Sequence, residues 1–243
     1  MSEKRWQDVL FSQGFGTRRV CLGLIQQSLV THNGEEVEDP DAWVETDDLF
    51  FTVQGERWPY HDHAYLMLHK PAGTECSQKA SLYPSIYTLL PSPLRQRGGG
   101  AAAGVQAVGR LDQDTTGLLI LSDDGKFIHR LTSPKHHVPK VYEVTTKHPL
   151  DASQIERLVA GVVLDDDPKP VAAHAAVQTG THTLTLSLTQ GKYHQVKRML
   201  AAVSNRVEGL HRSQIGSLTL ADLPEGAWRW LTPDEVKQVS AKT

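Results

Sequence analysis

Residues 181–200 read THTLTLSLTQGKYHQVKRML. In the first half Leu184, Leu186 and Leu188 alternate with Thr183, Thr185 and Ser187, the period of a strand that buries one face. After Gly191 the period changes. Val196, Met199, Leu200 and Val203 stand at i, i+3, i+4 and i+7, so an amphipathic helix follows, with Lys197 and Arg198 flanking its apolar stripe.

The same alternation of signals extends upstream. Strands are expected over Tyr65 to Leu68, stopped by Lys70-Pro71, over Val105 to Val108, Leu118 to Leu121 and Val141 to Thr145. Helices are expected around Phe127, Ile128 and Leu131, and around Ile155, Leu158 and Val159. Strands and helices intermixed without regular βαβ spacing predict an α+β fold over residues 64–243, a mixed, largely antiparallel sheet flanked by helices. Residues 91–104 read as a flexible loop, and the Gly/Ala run 98–104 receives no role.

Residues 1–57 form a separate small α/β-hairpin domain. Trp6, Val9 and Leu10 share a helical face that ends at Gly14; Thr17 caps a second helix, where Val20 and Leu24 share a face and Arg18 and Arg19 occupy the exposed first turn. Asn33-Gly34 between apolar runs is a hairpin signal. Pro59 and His61-Asp62-His63 make residues 58–63 a linker.

Composition sets the outer limits. The chain has 243 residues, 39% hydrophobic and 22% charged, as in an ordinary globular protein, and no apolar run approaches the ~18 residues of a spanning helix. The N-terminus lacks the apolar core of a signal peptide, so a cytoplasmic protein with no membrane partner is expected. Cys21 and Cys76 lack the spacing of a metal cluster and read as small apolar side chains. The net charge of −3 hides an uneven distribution. Residues 1–60 hold five Lys/Arg against eleven acids, whereas 126–147 and 191–214 each hold five against one. The two basic segments are candidate nucleic-acid contacts or, equally, solvated faces.

Residues 109–125, GRLDQDTTGLLILSDDG, place Asp112 and Asp114 between turn-forming glycines. Two apart on an extended segment, their side chains would diverge, which disfavours a shared metal ion or a two-acid centre. With no HExxH, CxxC or DxDxDG pattern, neither metal nor cofactor is expected. Asp114 reads as a loop carboxylate bonded to Thr115 or Thr116, and Asp123-Asp124-Gly125 as a turn. For Asp112 the residues alone leave a turn carboxylate and a reactive group both open.

Four stretches decide more. AVGRLDQDTTGLLILSDDG, LTSPKHHVPKVYEV, QGKYHQVKRMLAAVSNRVEGLHRSQIGSLTL and ADLPEGAWRWLTPDEV, in that order, resemble the pseudouridine synthases of the RsuA type. The N-terminal stretch, through Arg18-Arg19, Asn33-Gly34 and Val37, resembles the small RNA-binding domain named after ribosomal protein S-four, although the acids from Glu35 to Asp48 are heavy for such a module. The resemblance implies isomerisation of a uridine in 16S ribosomal RNA, uridine 516 in that family, by a monomer without cofactor whose partner is that RNA or a small-subunit assembly intermediate. It implies that Asp112 is the catalytic carboxylate, that Tyr142 packs on the target base, and that Lys197 pairs with Asp112. Arg110 matches a residue that fills the space left by the displaced nucleotide. Arg18, Arg19, Lys140, His194, Gln195 and Arg198 are the further RNA-binding candidates.

Those roles are chemically coherent. A carboxylate beside an aromatic ring needs a cation to stay ionised, and a uridine drawn from its stack needs an aromatic face and phosphate contacts to offset the few kcal/mol lost. The YHQVKRM form of the third motif favours the small-subunit branch over large-subunit enzymes, which more often read GxNRQVRRM. A 23S RNA synthase is therefore the nearest alternative, and a catalytically silent ribosomal-RNA-binding assembly factor the alternative of another class.

Overall fold

The structure, a computed structural model, describes residues 2–79, 81–98, 103–133, 136, 138–165 and 167–241. Residues 99–102 of the expected Gly/Ala loop and His137 lie outside the described residues. The chain divides into two compact units, one of residues 1–64 with 90–106 and 122–124, the other of 65–89, 107–121 and 125–243.

In the first unit, β1 (Glu3–Arg5) pairs antiparallel with β4 (Trp43–Glu45), and β2 (Val30–His32), β3 (Glu35–Glu36), β5 (Phe50–Val53) and β6 (Glu56–Pro59) form a sheet in the order β3-β2-β5-β6. Helices α1 (Trp6–Gln13), α2 (Arg18–Gln26) and α3 (Ser92–Gln96) complete it. Gly14 ends α1 at φ 90°, Thr17 caps α2 by accepting from Val20 N, and Asn33 and Gly34 take positive φ in the tight hairpin. The face of α2 that faces inward is Cys21 and Ile25, and Val20 is half exposed; Trp6, Phe15, Phe51 and Trp58 form an aromatic cluster in the same unit.

Arg97 explains why residues from the expected loop belong to this unit. Its side chain is buried, and its guanidinium donates to Asp123 Oδ2 (2.7 Å), Gln13 Oε1 (2.6 Å) and the carbonyl oxygens of His61 (2.7 Å) and Asp62 (3.3 Å). The expected linker over 58–63 is therefore a built part of the unit, with Trp58 and Tyr60 buried. A guanidinium taken out of water must have its donors bonded, and here four groups from three chain segments do so.

The second unit contains β7 (Tyr65–Lys70), β8 (Gln106–Ala107, whose second residue belongs here), β9 (Thr116–Ser122), α4 (Gly125–Thr132), β10 (Lys140–Thr146), α5 (Ala152–Ala160), β11 (Val162–Leu164), β12 (Asp167–Val171), β13 (Ala175–Gln178), β14 (Thr183–Leu188), α6 (Gln195–Ala202), β15 (Val207–Ile215), β16 (Leu218–Thr219), β17 (Trp228–Trp230) and α7 (Pro233–Ser240). Its main sheet runs β13-β14-β10-β15-β9-β7-β17, with β13-β14, β14-β10, β10-β15 and β7-β17 antiparallel and β15 meeting β9 in parallel. That is the mixed, mostly antiparallel α+β arrangement the periodicities predict. The alternation of Leu184, Leu186 and Leu188 is the buried face of β14, and α6 lays Val196, Met199 and Leu200 into the same core cluster.

Two devices in this unit fix the loop that carries Asp112. Gly117 lies at φ 115° where β9 meets β15, and a Cβ there would fall inside the backbone of Arg212. The parallel contact depends on a residue without a side chain. Lys70, at the end of β7, is wholly buried, and its Nζ donates to the carbonyl oxygens of Pro71 (3.0 Å), Gln113 (3.3 Å) and Thr115 (2.9 Å). Gly73 N adds a second donor to Gln113 O at 2.8 Å. Burial draws the Lys70 ammonium below its ordinary pKa, against the opposing pull of nearby Cys76, Asp114 and Asp112. The buried cation thus ties down the loop from below by its backbone.

Both devices are testable by urea denaturation. Gly117→Ala should lower stability by about 2–4 kcal/mol, since strain at positive φ adds to a backbone clash. Lys70→Met should cost about 2–4 kcal/mol, because three carbonyls lose a charged donor, and should speed amide exchange at Thr115, whose N–H closes the turn on Asp112 O at 3.1 Å.

Candidate active site

The loop from Gly109 to Thr115, the sheet face of β10, β14 and β15, and the start of α6 enclose a cavity of about 200 Å³. Tyr142 on β10 faces Leu186 on β14 and Arg212 on β15 in cross-strand register, so these side chains share a face of the sheet. A bulge in β15 between the partners of Val141 and Tyr142 sets that register. Tyr142 is 9% exposed and packs with Leu111 and Val196, while lining the cavity.

Helix α6 begins abruptly. His194 sits before it at φ 48°, a conformation few non-glycine residues adopt, and Gln195 Oε1 accepts from Lys192 N at 2.8 Å to close the preceding turn. This kink turns the His194 ring back over the loop. His194 Nε2 lies 3.2 Å from Asp112 Oδ1, and the Tyr193 ring stacks on the same imidazole at 3.8 Å between centroids.

In the first turn of the helix, Lys197 Nζ lies 3.0 Å from Asp112 Oδ2 and 2.7 and 2.9 Å from the two oxygens of Asp114. The expected partnership of Asp112 and Lys197 is therefore present, but it is shared. The expectation that Asp114 serves only its own loop is corrected: the turn closed by Thr115 N on Asp112 O brings both carboxylates to the same ammonium, where an extended segment would have separated them. Burial disfavours the Asp114 anion, yet the Lys197 hydrogen bond and charge outweigh it and hold its pKa below the ordinary value. Burial likewise disfavours the Lys197 cation, and the two carboxylates outweigh it and raise its pKa. The two acids are not equivalent in position. Asp112 lines the cavity with its side chain 27% exposed; Asp114 is 54% exposed and points its carboxylate to the helix side.

The remaining candidates divide. Arg110 is exposed at the cavity rim, with no hydrogen bond among the described residues. Lys140 lines the cavity, donates to Val138 O at 2.9 Å, and has its pKa drawn down to about 8 by burial and then by the charge of Arg212. Gln195 is buried, with its amide turned to Lys192 N and Met199 Sδ, so it shapes the start of the helix and offers no outer surface. Arg198 donates to Tyr193 O at 3.1 Å. In the first unit, Arg18 is taken up by Asp8 and lies over the Phe11 ring at 4.7 Å, whereas Arg19 is exposed. Arg18 thus stabilises its own unit, and its hydrogen bond is the leading cause of the lowered Asp8 pKa.

Two cavity groups carry no marker in periodicity or spacing. One is His194 as a partner of Asp112 and not merely of RNA. The other is Arg212, 3% exposed, whose Nε donates to Leu118 O at 2.8 Å and whose Nη2 has no hydrogen-bond partner among the described residues.

Residues 64–202 match the model of the RNA pseudouridylate synthase family. The chain is 39% identical to ribosomal small subunit pseudouridine synthase A of Pasteurella multocida, over 90% of this chain and 92% of the other, and 37% identical to the Escherichia coli protein of that name, over 96% and 98%. A crystal structure of a pseudouridylate synthase superposes with a TM-score of 0.67 at 35% identity, covering 97% of this chain and 99% of that one. With matches along nearly the full length in sequence and in structure, the chain belongs to the RNA pseudouridylate synthase family.

Proposed function

We propose that this pseudouridine synthase converts one uridine of 16S ribosomal RNA, free or in a small-subunit assembly intermediate, to pseudouridine, with Asp112 as the reactive carboxylate. The observation that carries the residue assignment is that Asp112 lines the same cavity as Tyr142 and is held there by Lys197 and His194. The small-subunit target rests on the near full-length likeness to proteins of that name.

In the reaction the bond between the sugar's anomeric carbon and N1 of uracil breaks, the ring turns, and carbon five bonds to the same sugar carbon. Carbon five loses a proton and N1 gains one, so the atoms balance without oxidant or donor. Asp112 acts as nucleophile or base through its carboxylate, and the Lys197 ammonium lies 3.0 Å from that group. Tyr142 supplies the face against which the flipped base stacks, returning roughly 1–3 kcal/mol of the unstacking cost. Arg110 at the rim fits the role of filling the space the nucleotide leaves, and Lys140, Arg19 and Arg198 are the basic groups through which RNA phosphates would be neutralised.

The paired acids separate the roles. Asp112→Asn should reduce single-turnover pseudouridine formation by about a thousandfold or more while changing RNA affinity by less than about threefold. Asp114→Asn leaves Lys197 wholly to Asp112 and should cost less than about tenfold. The reverse pattern would transfer the reactive role to Asp114. Chemical mapping of pseudouridine after incubation with free 16S RNA, assembling small subunits and 23S RNA checks the target; modification confined to 23S RNA would overturn it.

A further inference from the structure

The side chain of Arg212 poses a problem that the proposed roles of Asp112, Tyr142 and Lys197 leave untouched. It is nine-tenths buried, it lines the cavity beside Tyr142, its cross-strand neighbour, and its Nη2 is a charged donor with no acceptor among the described residues. Native proteins bond such groups, so an orphaned cationic donor at a cavity wall marks the place of a ligand acceptor. Beside it stands a second cation, Lys140, two residues from Tyr142 on β10, on the same face and lining the same cavity. Leu188 and Ile215 surround the pair with apolar surface, which strengthens any interaction with an anion there.

The proposed reaction supplies one anion to this wall. When the glycosidic bond breaks, its electron pair stays on N1 of uracil and is spread by conjugation onto O2 and O4. We propose that Arg212, with Lys140 beside it, forms an anion subsite that hydrogen-bonds a carbonyl oxygen of the detached uracil ring, stabilising it as a leaving group and retaining it while it turns. The inference rests on the reading that the cavity holds the target base. It concerns the sheet wall of the cavity, and it makes Arg212 a catalytic residue for bond cleavage. The tie from Arg212 Nε to Leu118 O fixes the guanidinium before the base arrives, as a preorganised donor requires.

The test uses the full chain and two measurements. Titration of free 5-fluorouracil, a base that carries negative charge readily, followed by fluorine NMR, should give an affinity reduced about tenfold or more in Arg212→Gln and retained in Asp112→Asn. With RNA, single-turnover cleavage of the target glycosidic bond by Arg212→Gln should fall about a hundredfold on uridine and distinctly less on 5-fluorouridine, whose base is the better leaving group. Because fluorine at carbon five blocks the final proton loss, the readout on both substrates is consumption of the target nucleotide and not formation of pseudouridine. Equal losses on the two substrates, or unchanged base affinity, would overturn the subsite. Should Arg212→Gln not fold, Lys140→Gln carries the same pair of measurements, with a smaller loss of the same pattern expected and no change counting against the proposal. A wild type that binds the base but leaves ribosomal RNA unmodified would sink the proposed target and spare the subsite. A fully active Arg212→Gln would do the reverse.

Discussion

Lys197 places one ammonium within hydrogen-bonding distance of two carboxylates, and the second unit is organised so that this can happen. The lysine comes from the first turn of α6, and the acids from a loop more than eighty residues earlier. A shift of an ångström would cost much of the attraction, since charge-assisted hydrogen bonds are short-ranged and directional. Each side is therefore fixed by a separate device. The left-handed His194 and the Gln195 side chain set where α6 begins, and the apolar stripe Val196, Met199, Leu200 keys the helix into the sheet. The loop is held from below by Lys70, which takes its carbonyls and leaves its carboxylates free to meet α6.

Three lysines near the cavity show how neighbours decide what burial does. Lys197 and Lys140 are both partly desolvated, yet their pKa values move in opposite directions. Lys197 faces two carboxylates, which favour its charge; Lys140 faces a guanidinium, which opposes it. Lys70, deepest of the three, is lowered by burial while its three carbonyl acceptors hold the amino group in place. The result is a polarised cavity: carboxylates on the loop, and on the sheet wall the cations Lys140 and Arg212 beside Tyr142.

Much of this was legible in the residues. The switch from alternating leucines to a helical stripe after Gly191 located β14 and α6, and the motif around Asp112 linked it to Lys197 and Tyr142 by resemblance. What was not legible has a common physical cause: it depends on backbone closure in three dimensions. Asp114 joined Lys197 because a turn at Thr115 brings two nominally divergent side chains together. Arg97 lay in a stretch whose composition suggested only a loop, yet it fastens three segments through two side-chain oxygens, of Asp123 and Gln13, and the main-chain oxygens of His61 and Asp62, acceptors that no linear pattern reveals. Arg18 had the position of a phosphate contact, but Asp8, one helix away, claims it. Linear spacing reports which face a residue occupies and not which neighbour will reach it first.

The chemistry itself accounts for the polarity of the cavity. In an ordinary hydrolysis the leaving group departs, and a site gains by releasing it. In a uridine isomerisation the leaving ring is also the incoming nucleophile, so it must be stabilised in the detached state, remain close to the sugar, and still be able to turn. A tight set of hydrogen bonds around the whole ring would prevent rotation; bulk water would let it escape. A flat aromatic face resists rotation in its own plane very little, and a guanidinium at the wall can exchange one carbonyl oxygen for another without losing its charge interaction. Tyr142 and Arg212, opposite one another across two strands, combine those two properties. The proposed reactive carboxylate, Asp112, lines the same cavity from the loop, held by Lys197 and His194.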